Sequence, residues 1–118
     1  VTAIYSYFDA QAQMRKGVLE YCILAIINEG EIYPTDVINR LKESNLLVAE
    51  GTVYPLLNRL KTMELLSYKW VESNSGPPRK YYQLTDNGRL FLTELNKTWQ
   101  ELAHAVSINT KSLNTTQQ

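Results

Sequence analysis

The sequence predicts an α+β fold, mainly α, in which three helices lead into a two-stranded hairpin and then into a long closing helix. Three observations predict it. Apolar residues recur at helical spacing in three successive segments between Gln11 and Met63. Two short alternating runs, "LLSYKWVE" and "RKYYQL", flank the turn-forming cluster "SNSGPP". Finally, Leu92, Leu95, Trp99, Leu102 and Val106 recur at alternating intervals of three and four, the a/d seam of a helix that packs on another.

The 118 residues suffice for one small domain with an appended element, and the limited burial of so short a chain favours a dimer. The single cysteine, Cys22, lies in the apolar run "YCILAII", which excludes an intramolecular disulfide and predicts a buried small hydrophobe in a reducing compartment. No apolar run approaches the ~20 residues that span a bilayer, and no charged n-region precedes an apolar stretch, so a cytoplasmic location is expected. The formal net charge of zero argues mildly against nucleic acid. Between residues 61 and 89, however, Lys61, Lys69, Arg79, Lys80 and Arg89 outnumber Glu64, Glu72 and Asp86. An anionic partner would meet this middle third.

Residues 1–13 hold three aromatics without a clear period and are set apart as an N-terminal leader, with Met14 a candidate internal start. From about Gln11 to Glu29, Val18, Leu19, Cys22, Ile23, Ile26 and Ile27 form one broad helical face. Tyr21, Leu24 and Ala25 fill much of the remainder, a pattern of burial on two sides. Gly30 suits the C′ position of that helix. A second helix is expected from Pro34, a first-turn residue, through Val37, Ile38 and Leu41 to Glu43, and "SNLLVAEG" turns out of it.

In the third helix, "GTVYPLLNRLK", Val53, Leu56, Leu57 and Leu60 form a single stripe that must be buried. Pro55 fits the first turn if Thr52, or a residue just before it, caps the helix. If the helix begins near Ala49, Pro55 instead costs a hydrogen bond. The hairpin places Leu66, Tyr68 and Trp70 opposite Ser67 and Lys69 on its first strand. On its second, Lys80, Tyr82 and Leu84 oppose Arg79, Tyr81 and Gln83. Thr85 followed by Asp86 caps a last helix running to about Ile108, and the polar residues 109–118 read as a flexible tail. The chain thus divides into the leader 1–13, a domain over 14–84, the helix 85–108 and the tail.

Three helices followed by a hairpin is the winged helix-turn-helix order, in which the third helix enters a DNA major groove and the hairpin touches the backbone or minor groove. The third helix carries suitable groups on its polar face. Arg59 can contact guanine or a phosphate, Asn58 can pair with adenine, and Thr52 and Tyr54 can donate to phosphates. Pro55 adds a flat apolar surface, and Arg79 and Lys80 can neutralise phosphates. A solvated helix face and a basic hairpin without a partner fit the same residues.

The segments "GTVYPLLNRL" and "GPPRKYYQLTDNG" together resemble the PadR family of bacterial transcriptional regulators, which carry a GTLYP-like helix start and a wing ending in PRKYYxLTxxG. The resemblance covers about residues 14 to 108. With one C-terminal helix, the chain is most similar to the small LmrR-like subfamily. The resemblance implies a dimeric repressor of a palindromic operator. It also implies recognition-helix contacts by Thr52, Tyr54, Pro55, Asn58 and Arg59, and wing contacts by Arg79, Lys80 and Tyr81. Val53 departs from the commoner leucine, and Ala49 stands where a capping side chain would help.

The a/d seam of Leu92, Leu95, Trp99, Leu102 and Val106 predicts a long C-terminal dimerisation helix that packs, with the first helix, on a second chain. Trp99 is bulky for a seam and would hold two subunits apart around a flat slot. In LmrR-like members a tryptophan at the matching place stacks on planar drugs, which implies a hydrophobic aromatic effector site at Trp99 lined by Tyr21 and Ala25. Trp99 as plain interface core is the competing reading. Nothing suggests an enzyme or a cofactor: the single histidine, His104, falls on the late helix as a solvent-facing residue, without a metal-ligand cluster, Cys-His pair or phosphate loop. The alternative class is a winged-helix protein-protein interaction module without operator DNA. A regulator without ligand response, acting by abundance alone, is a third.

Overall fold

The computed structural model describes residues 5–46 and 49–114. Leu47 and Val48 of the turn after the second helix, residues 1–4 of the leader and 115–118 of the tail lie outside the described residues.

Helix α1 spans Tyr7–Ile27 and begins ahead of its apolar period. Its start is set by a capping box: Asp9 N donates to Ser6 Oγ at 3.1 Å and Ser6 N donates to Asp9 Oδ2 at 3.0 Å. The hydrogen bonds from Ser6, the backbone one first, hold the Asp9 carboxyl below its ordinary pKa. The early turns show no period because they face no core: Tyr7, Phe8 and Met14 are all exposed. The helix closes two residues short of Glu29, with Asn28 as C-cap. Gly30 then takes φ 148°, a conformation open to glycine.

Helix α2, Pro34–Glu43, has Pro34 in its first turn and buries Val37, Ile38 and Leu41. A 3-10 turn over Glu50–Thr52 precedes α3, Val53–Thr62. Thr52 holds the N-cap position, although its side chain makes no capping bond. Pro55 is therefore the third residue of α3, where a missing amide leaves no helical bond broken. Asn45 after α2 and Glu64 after α3 adopt φ 63° and 62°, the left-handed turn that ends a helix.

Strands β1, Leu66–Ser73, and β2, Gly76–Leu84, pair antiparallel with Leu66 opposite Leu84, Tyr68 opposite Tyr82 and Trp70 opposite Lys80. The turn is tighter than the cluster "SNSGPP" suggests, because Gly76, Pro77 and Pro78 extend β2 beyond a register irregularity between Val71 and Ser73. Such an interrupted end tolerates proline, which cannot donate to a ladder. Ile32 joins the other edge of β2: Ile32 N donates to Tyr82 O at 3.1 Å and Tyr82 N to Ile32 O at 2.8 Å.

Helix α4 spans Asp86–Asn109 and is followed by a short turn of helix, α5, Lys111–Asn114. Thr85 caps α4, accepting from Gly88 N at 2.9 Å. The core joins Ile23, Leu24 and Ile27 of α1, Val37 and Leu41 of α2, and Val53, Leu57 and Leu60 of α3. Leu66, Tyr82 and Leu84 close it from the hairpin. Within α4 only Gly88 is buried, so most of this helix stands clear of the domain. Among the described residues, no helix is long and apolar enough to cross a membrane.

Candidate nucleic-acid interface

Burial of Val53, Leu57 and Leu60 turns Tyr54, Pro55, Asn58, Arg59 and Thr62 to the outside of α3. This exposed arc has two sides. Thr52, Pro55 and Arg59 face α1 across a groove, and Arg59 Nη1 reaches Glu20 Oε1 at 2.9 Å. Tyr54 and Asn58 share the other row with Lys61, at i, i+4 and i+7, on the hairpin side. Lys61 Nζ lies 4.6 Å from the centre of the Tyr68 ring on β1.

The hairpin divides its basic residues between two faces. Lys80 Nζ sits 4.4 Å from the Tyr68 ring centre and 5.3 Å from that of Trp70. Two ammonium groups, one from α3 and one from β2, thus share the Tyr68 ring, an attraction that keeps both cations at the junction of helix and wing. Arg79 and Tyr81 lie on the opposite face. The Arg79 guanidinium lies 4.1 Å over the Tyr33 ring, the Tyr81 ring stacks on Tyr33 at 3.9 Å, and Arg79 Nη2 approaches Thr35 Oγ1 at 3.5 Å. The three wing residues therefore do not form one patch, because successive side chains of a strand point to opposite faces. Lys61, counted in the sequence only as part of the basic middle third, lies with Tyr68 beside this surface; the signal for its place was its i, i+7 spacing from Tyr54.

The seam of α4 is likewise divided. Leu92 and Leu95 pack half-buried against their own core, whereas Trp99, Leu102 and Val106 are 39, 51 and 53% exposed. Trp99 meets α1: its ring centre is 6.5 Å from that of Tyr21, whose hydroxyl donates to Asn96 Oδ1 at 2.6 Å. A cavity of about 300 Å³ beside them is lined by Tyr21, Ala25, Leu92 and Asn96, among others. Of the three residues expected at an effector slot, Tyr21 and Ala25 line this cavity, and Trp99 lies beside Tyr21 without lining it. Asn96, one turn before Trp99, is the polar group that the apolar pattern concealed. His104 is exposed, and Cys22 is half-buried, with burial pushing its thiol pKa up.

A model of the transcriptional regulator PadR-like family matches residues 23–94. The chain belongs to the PadR-like family. Among solved structures, it is 55% identical to a PadR-like transcription factor from Bacteroides fragilis, covering 84% of this chain and 96% of that one with a TM-score of 0.70. A PadR-like transcriptional regulator from Bacillus cereus is 40% identical, over 80% of this chain and 93% of that one, with a TM-score of 0.72. Bacillus subtilis PadR, solved in complex with operator DNA, is 27% identical over 66% of this chain and 46% of its own, with a TM-score of 0.60. This PadR-like chain is accordingly a transcriptional regulator and not an enzyme. The family match takes in α3, the hairpin and the first turns of α4. Tyr21 and Trp99 fall outside it.

Proposed function

We propose that this PadR-like regulator is a dimeric repressor of a palindromic operator, working in the cytoplasm. The recognition-helix contacts are Thr52, Tyr54, Pro55, Asn58 and Arg59, and the wing contacts are Arg79, Lys80 and Tyr81. The observation that carries this reading is a division of labour on one chain: α3 offers an exposed polar arc, and the outer half of α4 offers exposed Trp99, Leu102 and Val106. The first suits base edges and phosphates; the second suits a copy of itself. A dimer is needed because a palindrome is read by two recognition helices about 34–36 Å apart, one turn of duplex.

A planar aromatic compound at the dimer centre, stacked on Trp99 and lined by Tyr21 and Ala25, relieves repression; in the LmrR-like subfamily a tryptophan at the matching place stacks on planar drugs. Stacking supplies about 0.5–1.5 kcal/mol beyond area burial. It changes the angle between subunits only to the extent that the compound binds one arrangement better than the other.

The test joins two titrations. Duplex DNA is titrated by anisotropy at several salt concentrations. Tryptophan fluorescence is followed with planar aromatic compounds on the intact protein and on Trp99→Ala, which leaves Trp70 as the remaining emitter. Salt-dependent duplex binding, together with quenching that disappears in Trp99→Ala, supports the reading. Negligible duplex affinity at low salt favours the protein-protein interaction module instead.

A further inference from the structure

A groove of about 490 Å³ runs between the middle of α1 and the start of α3, and neither Tyr21 nor Trp99 lines it. Its volume falls within the range of about 300–1,000 Å³ usual for small-molecule sites. Leu19, Leu46, Pro55 and Leu56 give it apolar walls. Its charged lining is one-sided: Arg15, Lys16 and Arg59 face a single carboxylate, Glu20. Glu20 is paired with Arg59, while Arg15 and Lys16 form no ion pair among the described residues. Three cations against one anion around an apolar trough is complementary to a molecule with one anionic head and an apolar body.

We propose that this α1–α3 groove is a binding site for an amphipathic organic anion, such as an alkyl carboxylate, whose head takes the place of Glu20 on Arg59. The apolar chain lies along Leu19, Pro55 and Leu56, and Arg15 and Lys16 attract the head. The Glu20–Arg59 pair is exposed enough to exchange partners, since half-solvated ion pairs hold by little. If the repressor reading stands, the bound anion also occupies the guanidinium that α3 would offer to operator DNA. That consequence alone rests on the repressor reading.

Decanoate, below its micelle concentration, is the probe. It is titrated calorimetrically into the full chain beside decyltrimethylammonium, without DNA. Saturable binding of one decanoate per chain is expected, with binding of the cation at least tenfold weaker. Arg59→Met, with its fold checked by circular dichroism, should weaken decanoate at least tenfold. Glu20→Gln should tighten it at least threefold, because the internal competitor is gone; a merely damaged fold cannot produce that gain. Amide shifts induced by decanoate should cluster at Lys16, Leu19, Leu56 and Arg59. The proposal is overturned by absence of saturable heat, as when a second copy of the chain covers the groove. Equal binding of the decyl cation, weaker or unchanged binding in Glu20→Gln, or shifts centred on Trp99 also overturn it. Decanoate binding that leaves operator affinity unchanged supports the site and removes Arg59 from the operator contacts.

Discussion

The backbone of Gly88 lies so close to the Leu65 carbonyl that a Cβ at residue 88 would overlap the oxygen. The same carbonyl accepts from Thr85 N at 3.1 Å, and Thr85 Oγ1 donates to Glu64 O at 2.7 Å. The left-handed residue that ends α3 and the cap that begins α4 are thus one joint. It sets the direction in which α4 leaves the domain.

Gly88→Ala is expected to destabilise the fold by about 1–3 kcal/mol, the cost of forcing an extra carbon against fixed backbone. Asn87→Ala, at the exposed neighbour, should stay within about 0.5 kcal/mol. Urea unfolding of both variants checks this. Equal midpoints for Gly88→Ala and the parent chain would sink the joint.

Lys61 and Lys80, drawn together over Tyr68, should each neutralise a phosphate when duplex is bound. Replacing either with alanine is expected to lower the log–log salt slope by about 1, without changing sequence preference. Arg59→Ala should instead alter which sequence is preferred, by about 1–3 kcal/mol at the base concerned. Anisotropy titrations over a range of salt and of operator variants separate the two outcomes.

Leu102 and Val106 are exposed on the same helix that half-buries Leu92 and Leu95. The double substitution Leu102→Asp with Val106→Asp should therefore give a folded monomer by sedimentation velocity. Leu92→Ala should lower stability by at most about 2 kcal/mol, the lower end for fully buried leucines. A double variant that sediments as the parent does would remove the outer seam from the interface.

The depressed pKa of Asp9 arises from its bonds to Ser6 and makes the start of α1 sensitive to acid. A carboxyl lowered on folding adds stability above its unfolded pKa and loses it as pH falls through the folded value. Acidification below the ordinary carboxylate range should fray Tyr7 to Ala10, read from backbone amide shifts. Asp9→Asn, which leaves no carboxyl to titrate, should remove that pH dependence, and its persistence in the variant would assign it to another group.

Much of the architecture was legible from local pattern. Pro34, Thr85 and the alternation around Trp70 and Lys80 each state a local preference that the fold keeps. The alternation even separated Lys80 from Arg79 and Tyr81, a division that a motif read as one string obscures. Other features were hidden for identifiable reasons. The capping box of Ser6 and Asp9 lies ahead of any apolar period, since those turns face no core. The strand over Gly76 to Pro78 carries residues that ordinarily mark a turn.

By itself, then, the sequence determined which segments are helix or strand, which face of α2, α3 and the hairpin is buried and that Thr85 caps α4, because those depend on neighbours within a few residues. Only the tertiary structure decided what the polar groups do. Arg59 meets Glu20 from 39 residues away, and Tyr21 meets Asn96 across 75. The Gly88 contact with Leu65 belongs with them. Such meetings depend on how finished elements pack, and a helical or strand period records only that a face is buried, not which distant side chain lies beyond it.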